Sequence, residues 1–319
     1  MPAVLARDPL RAASEPKAAL RSRGSVPTQP TSTHLSRALD EAIAGRRRPL
    51  FDLLARGSGL PGPRVNAALA DGFAQICRAL GGQADVVAVA MARLSADEAP
   101  GATALEFLPV CGVFALGARA AADEGVRTRF LAELHARADD LRFRVRDAVI
   151  DALARVGGAA GDALLKDVTP WMDGYFHAAA VVRALAHEAW LSNLHDTAPV
   201  VARLDEAFAL ARAAPRAAAR YPGRKALVEA LGQAPGQVAA RFGVPLFDML
   251  VRWSTVEDPE LRKAIEVTLR SHRLAGRFAP EIERVRRALS AALPPPRNPD
   301  HDFGPTRDRS GARRRSRQR

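Results

Sequence analysis

The feature that most constrains this chain is a period of about 40 residues in its apolar pattern. In "DLRFRVRDAVIDALARVGG", residues 140–158, apolar side chains fall at Val145, Ala148, Val149, Ala152, Leu153 and Val156. Offsets of 0, 3, 4, 7, 8 and 11 mark one face of an amphipathic helix. The same offsets begin again at Val65, Leu105, Val182, Gly223 and Leu261, so successive starts lie 37–41 residues apart.

Two columns carry the specificity of the repeat. Offset 7 always holds a small residue: Gly72, Gly112, Ala152, Ala189, Ala230 and Thr268. Offset 8 always holds a large apolar one: Phe73, Val113, Leu153, Trp190, Leu231 and Leu269. A small residue admits a neighbouring helix, and the bulky one beside it fills the groove. Second apolar segments lie between these helices, at 85–94, 125–138, 162–172, 199–213 and 243–253, with 34–55 before the first copy and 280–293 after the last. Gly, Pro and Asp clusters such as "GSGLPGP", "VGGAAGD" and "EDPE" punctuate them. Each unit reads as a helical hairpin, and a 40-residue period is that of stacked α-hairpins.

These units resemble HEAT repeats, especially the bacterial type whose second helix opens with Asp, then Val-Arg, then a small–large apolar pair. "DDLRFRVRDAVIDALARVGG" and "EDPELRKAIEVTLR" carry the likeness best, followed by "VVRALAHEAWL" and "GRKALVEALG". The first two copies depart from it, with Asn66 and Glu106 where the others have arginine. The resemblance covers roughly residues 34–293. It implies an all-α, right-handed α-solenoid of about six HEAT-like hairpins, used as a protein-binding scaffold or adaptor without catalysis or cofactor. A regulatory subunit of an enzyme fits the same reading.

Composition agrees with helices: aromatic residues make up only 5% of the chain. The net charge of +12 is concentrated at the ends, with +3 on residues 1–33 and +5 on residues 294–319. All but four of the 47 basic residues are arginine, which suits the codon bias of a GC-rich genome. Residues 1–33 read as a disordered leader and 294–319 as a disordered Pro/Arg-rich tail, since neither has an apolar pattern to bury. The tail ends "RDRSGARRRSRQR", and its Arg313, Arg314 and Arg315 form a cation suited to nucleic acid, acidic protein or an anionic surface. No signal-peptide pattern opens the chain, and its longest uncharged apolar run, residues 107–118, is shorter than a bilayer span. A cytoplasmic location is therefore expected. Cys77 and Cys111 sit in apolar runs and read as buried thiols.

Three candidate chemistries stand out. Arg146, Arg183, Arg224 and Arg262 hold one position in four consecutive units, a ladder that would meet an acidic partner or, alternatively, bind neighbouring carboxylates and carbonyls. His187-Glu188 is similar to the His-Glu pairs of HEAT-like di-iron hydroxylases. Such a site needs several converging pairs, however, and His135, His177, His195 and His272 read as incidental. Trp171, Trp190 and Trp253, with Asp173 nearby, resemble the aromatic and acidic cleft of DNA alkylation-repeat glycosylases. That likeness and the basic tail make a nucleic-acid-associated protein the alternative to the scaffold.

Overall fold

A computed structural model describes residues 32–292. The fold is all-α: among the described residues there are sixteen α-helices, three short 3-10 segments and no strand. The expectations for residues 1–31 of the leader and for the tail, Arg313, Arg314 and Arg315 included, lie outside the described residues, while Ser32 and Thr33, expected in the leader, open the first helix.

In chain order the helices are α1 (Ser32–Ile43), α2 (Arg48–Gly57), α3 (Ala67–Leu80), α4 (Gly82–Ala92), α5 (Phe107–Ala122), α6 (Glu124–Ala138), α7 (Phe143–Ala160) and α8 (Ala163–Asp167). They continue with α9 (Tyr175–Leu185), α10 (Glu188–Leu191), α11 (Thr197–Arg212), α12 (Pro222–Phe242), α13 (Val244–Trp253), α14 (Pro259–Leu269), α15 (His272–Ala275) and α16 (Ala279–Ala291). Contacts link α3, α5, α7, α9, α12 and α14 in that order. A second set, α4, α6, α11, α13 and α16, packs beside them, with α8 and the 3-10 turn Thr169–Asp173 filling its middle position.

Close helix packing involves the two columns in part, together with glycines at offset 12 (Gly117 and Gly157) that lie outside them. All six offset-8 residues are buried, Trp190 completely. A Cβ on Gly112 of α5 would lie 2.3 Å from the backbone nitrogen of Ala92 in α4. One on Gly117 would lie 2.6 Å from the Ala152 Cβ of α7, and one on Gly157 of α7 only 2.1 Å from the Trp190 indole. Glycine is required at these three points. At Gly72 nothing lies within 4 Å of such an atom, so there the small residue answers no packing demand.

Turns between paired helices reuse one device. Gly81, Gly161 and Gly243 each adopt φ between +57° and +70°, where a side chain would be strained, and each joins the first helix of a unit to the second. Side chains of Asn66, Asp123, Asp196 and Asp258 cap the N-termini of α3, α6, α11 and α14 by accepting backbone N–H bonds.

Two expectations fail, one in the fourth copy and one in the third. The face assigned from Val182 to Asn193 does not lie on one helix, because α9 stops at Leu185 and α10 begins at Glu188. His187 breaks it: its backbone is extended (φ −71°, ψ 133°), and its Nδ1 accepts from the Ala189 N–H at 3.2 Å. Ala189 is exposed, while Trp190 remains buried with its Nε1 donating to the Gly161 carbonyl at 3.0 Å. The segment 162–172 likewise divides, with Pro170 opening the 3-10 turn after α8.

Helix α5 is the centre of the N-terminal half, with every residue from Phe107 to Ala120 buried. The stretch Ala104–Ala122 is the one segment among the described residues long and apolar enough to cross a membrane, and 83% of it is buried inside the protein. That enclosure is a sufficient reason for its apolar composition. Its Arg119 is buried in a pair with Asp85 of α4 (2.7 Å) and also reaches Asp123 (3.3 Å).

Buried Arg142 serves as a tie between units. It binds both oxygens of Asp140 (2.7 and 2.8 Å) and donates to the carbonyls of Leu94, Ser95 and Ala99 in the loop before α5. Burial pulls the Asp140 pKa upward, but the Arg142 guanidinium and backbone N–H together hold it below the ordinary carboxylate range.

Two outcomes follow for stability. Gly72→Ala is expected to stabilise by up to about 1 kcal/mol through helix propensity. Gly157→Ala should destabilise by roughly 1–3 kcal/mol because its methyl collides with Trp190; urea unfolding midpoints measure both. A carboxyl with a depressed folded-state pKa stabilises fully above its unfolded value, and that contribution vanishes as pH falls through the folded one. Acid titration below about pH 4 should therefore erode stability less steeply in Asp140→Ala, which at neutral pH costs roughly 3–5 kcal/mol by leaving Arg142 unpaired.

Candidate functional site

The four arginines of the proposed ladder meet different fates. Arg146 donates to the Asp140 carbonyl and lies over the Phe176 ring at 4.4 Å. Arg183 pairs with Asp147 at 2.9 Å and stays half exposed. Arg224 is buried between Asp258 and Glu260 of the next unit. Arg262 spends its donors on the carbonyls of Ser254, Val256 and Leu289.

Arg146 and Arg183 share a surface depression of about 100 Å³ with Phe143, Asp147 and Phe176. Across Phe143 and Asp147 a second depression of about 210 Å³ continues toward Arg64, Phe114 and Asp151. Together they form a groove running over α7 from α5 to α9. On its rim Phe143 is 52% exposed and the nearby Leu141 is 87% exposed.

The tryptophans do not converge. Trp171 and Trp190 are buried. Trp253 is partly exposed, stacked on Phe208 at 5.2 Å, with its Nε1 donating to Asp205 at 2.7 Å. His187 uses its Nδ1 as the cap of α10.

A different cluster assembles where sequence reading saw incidental histidines. His177 does have a partner at helical spacing: Asp173, four residues before it. The 3-10 turn Thr169–Asp173 and the first turn of α9 bring them together, with His177 Nδ1 2.8 Å from Asp173 Oδ1. His135 of α6 reaches the same carboxylate, its Nε2 3.1 Å from both oxygens. The two imidazoles stack at 3.8 Å with a 24° tilt, and Trp171 stands edge-on beneath His135 at 5.1 Å. Burial raises the Asp173 pKa, yet the hydrogen bonds and charges of the two histidines outweigh it and hold the carboxyl low. A signal was present in the sequence: His135 precedes Asp173 by 38 residues, close to the period of the apolar pattern.

Both cysteines are buried. Burial, reinforced by the Asp85 charge and opposed by Arg119, pushes the Cys77 thiol up to about 12. Burial also raises Cys111, with Cys77 adding to it. Comparison with protein families, with curated proteins and with solved structures returned no match.

Thiols held protonated and out of solvent should not react with DTNB at pH 8 in the native chain. Two equivalents of thionitrobenzoate, read at 412 nm, are expected only once urea unfolds it.

Proposed function

We propose that the protein is a non-catalytic binding scaffold, a right-handed α-solenoid of HEAT-like hairpins that docks a protein partner in the groove over α7. The observation that carries the reading is the exposure of Phe143 beside Arg146 and Arg183, with Leu141 exposed two residues before it. Aromatic and arginine side chains dominate the energetics of protein interfaces, because they combine large desolvated area with directed hydrogen bonds. The groove suits an extended or helical segment carrying one apolar anchor, with acidic groups placed to compete with Asp147 for Arg183. Recognition would rest on shape and charge complementarity along the packed helices, with affinity spread over several units.

The basic balance of the whole chain does not favour nucleic acid for the helical region, whose charge is close to neutral between residues 34 and 293. Any nucleic-acid contact therefore falls to Arg313, Arg314 and Arg315 in this reading.

The test uses the full chain as bait in nuclease-treated lysate, with each captured protein then made pure and its affinity measured. Phe143→Ala should weaken a genuine partner at least tenfold, about 1.4 kcal/mol, and Leu141→Asp with Arg183→Glu should abolish binding. Substituting Arg313, Arg314 and Arg315 by alanine should leave it unchanged. If capture ignores the groove substitutions but disappears with nuclease or with the tail substitutions, the scaffold reading fails and nucleic-acid association replaces it.

A further inference from the structure

We propose that His135, Asp173 and His177 bind one divalent transition-metal ion of the zinc class, joining α6 to α9 across two successive units. Zinc-type ions bind imidazole nitrogen and carboxylate oxygen at about 2.0–2.2 Å, which sets ligand atoms roughly 3–3.5 Å apart. The cluster is close to that spacing already. Both nitrogen-to-oxygen distances are 2.8–3.1 Å, and all three ligand atoms lie within 4.8 Å of one another.

The surroundings fit a site with a fixed floor and an open front. Buried Trp171 packs edge-on against both imidazoles, at 5.1 and 6.3 Å, and forms the floor of the site. Gly174 leaves the Nδ1 of His177 accessible, since a Cβ at that position would sit 2.6 Å from it. Asp173 is 54% exposed, so the remaining coordination positions face solvent and would be completed by water. Each imidazole enters as the tautomer whose proton sits on its other nitrogen, and ligation turns both rings edge-on to the ion from their present stack. Two nitrogens and one oxygen select a borderline ion over magnesium or calcium, which prefer shells of oxygen.

This inference is independent of the docking groove. Full-length protein freed of metal with EDTA is titrated with zinc chloride by calorimetry and with cobalt chloride by visible absorption. The expected result is one ion per chain, with cobalt bands above 500 nm. Affinity should fall at least tenfold in His135→Gln and in His177→Gln, and the cobalt bands should disappear from both. Magnesium chloride should give no heat. Zinc should raise the thermal midpoint of the wild type and leave that of both variants unmoved, as binding to the native state alone requires. Should either variant fail to fold, Asp173→Asn removes the carboxylate charge alone and should weaken binding likewise. The proposal is overturned if zinc does not bind, or if it binds the His135→Gln, His177→Gln double variant as it binds the wild type.

Discussion

Helix-to-helix approach at missing side chains is the constraint on which the rest of the structure depends. Where α5 meets α4 and α7, and where α7 meets the Trp190 segment, no room exists for a single methyl group. Packing that close places the bulky offset-8 residues in enclosed grooves, and each such burial removes a large apolar surface from water. The turns and caps determine where each helix begins and ends. The glycines determine how near the next one comes, and hence whether the interior closes at all.

Arginine does much of the remaining cohesion. Arg142 and Arg241 each reach back to backbone carbonyls 43–49 residues earlier, Arg142 at Leu94, Ser95 and Ala99, Arg241 at Ser192 and Leu194. A planar guanidinium with five donors can satisfy several loop carbonyls at once, where a lysine would reach one. An arginine-rich composition that looks basic on paper is thus consumed internally in good part. The buried members, such as Arg119 and Arg224, are matched by carboxylates, so their cost of desolvation is offset locally.

The period of about 40 residues made the all-α class and most helix positions legible, because a 3.6-residue pattern survives in any helix that buries one face. The breaks were not legible. His187 ends α9 by capping α10 with its own side chain, a conformational choice that Ala186 and Glu188 on either side do not announce. The His135–Asp173–His177 cluster escaped for a related reason. Asp173 and His177 are local neighbours four residues apart, but His135 joins them only once the 38-residue separation is used to lay α6 beside the turn before α9. Leu141 and Phe143 lie before the first position of the apolar pattern, Val145, so the pattern carries no information on them; Leu141 precedes α7, Phe143 opens it, and both are exposed. Arg146 and Arg224 occupied equivalent columns, but the acceptors that divide them, a carbonyl in one case and Asp258 with Glu260 in the other, come from different parts of each unit.

The enclosure of α5 bears on how this chain can change in length. In a simple array each unit touches only its neighbours, so units can be gained or lost from an end with little effect on the others. Here α2 skips a unit to pack on α5, Arg144 of α7 donates to the Gly62 carbonyl, and Arg155 of α7 reaches Asp71 of α3 over the top of α5. The first four pairs of helices are therefore locked around one another rather than strung in series. Loss of the first hairpin would cost contacts beyond its immediate neighbour, including the one between α2 and α5, the most apolar of the longer helices among the described residues.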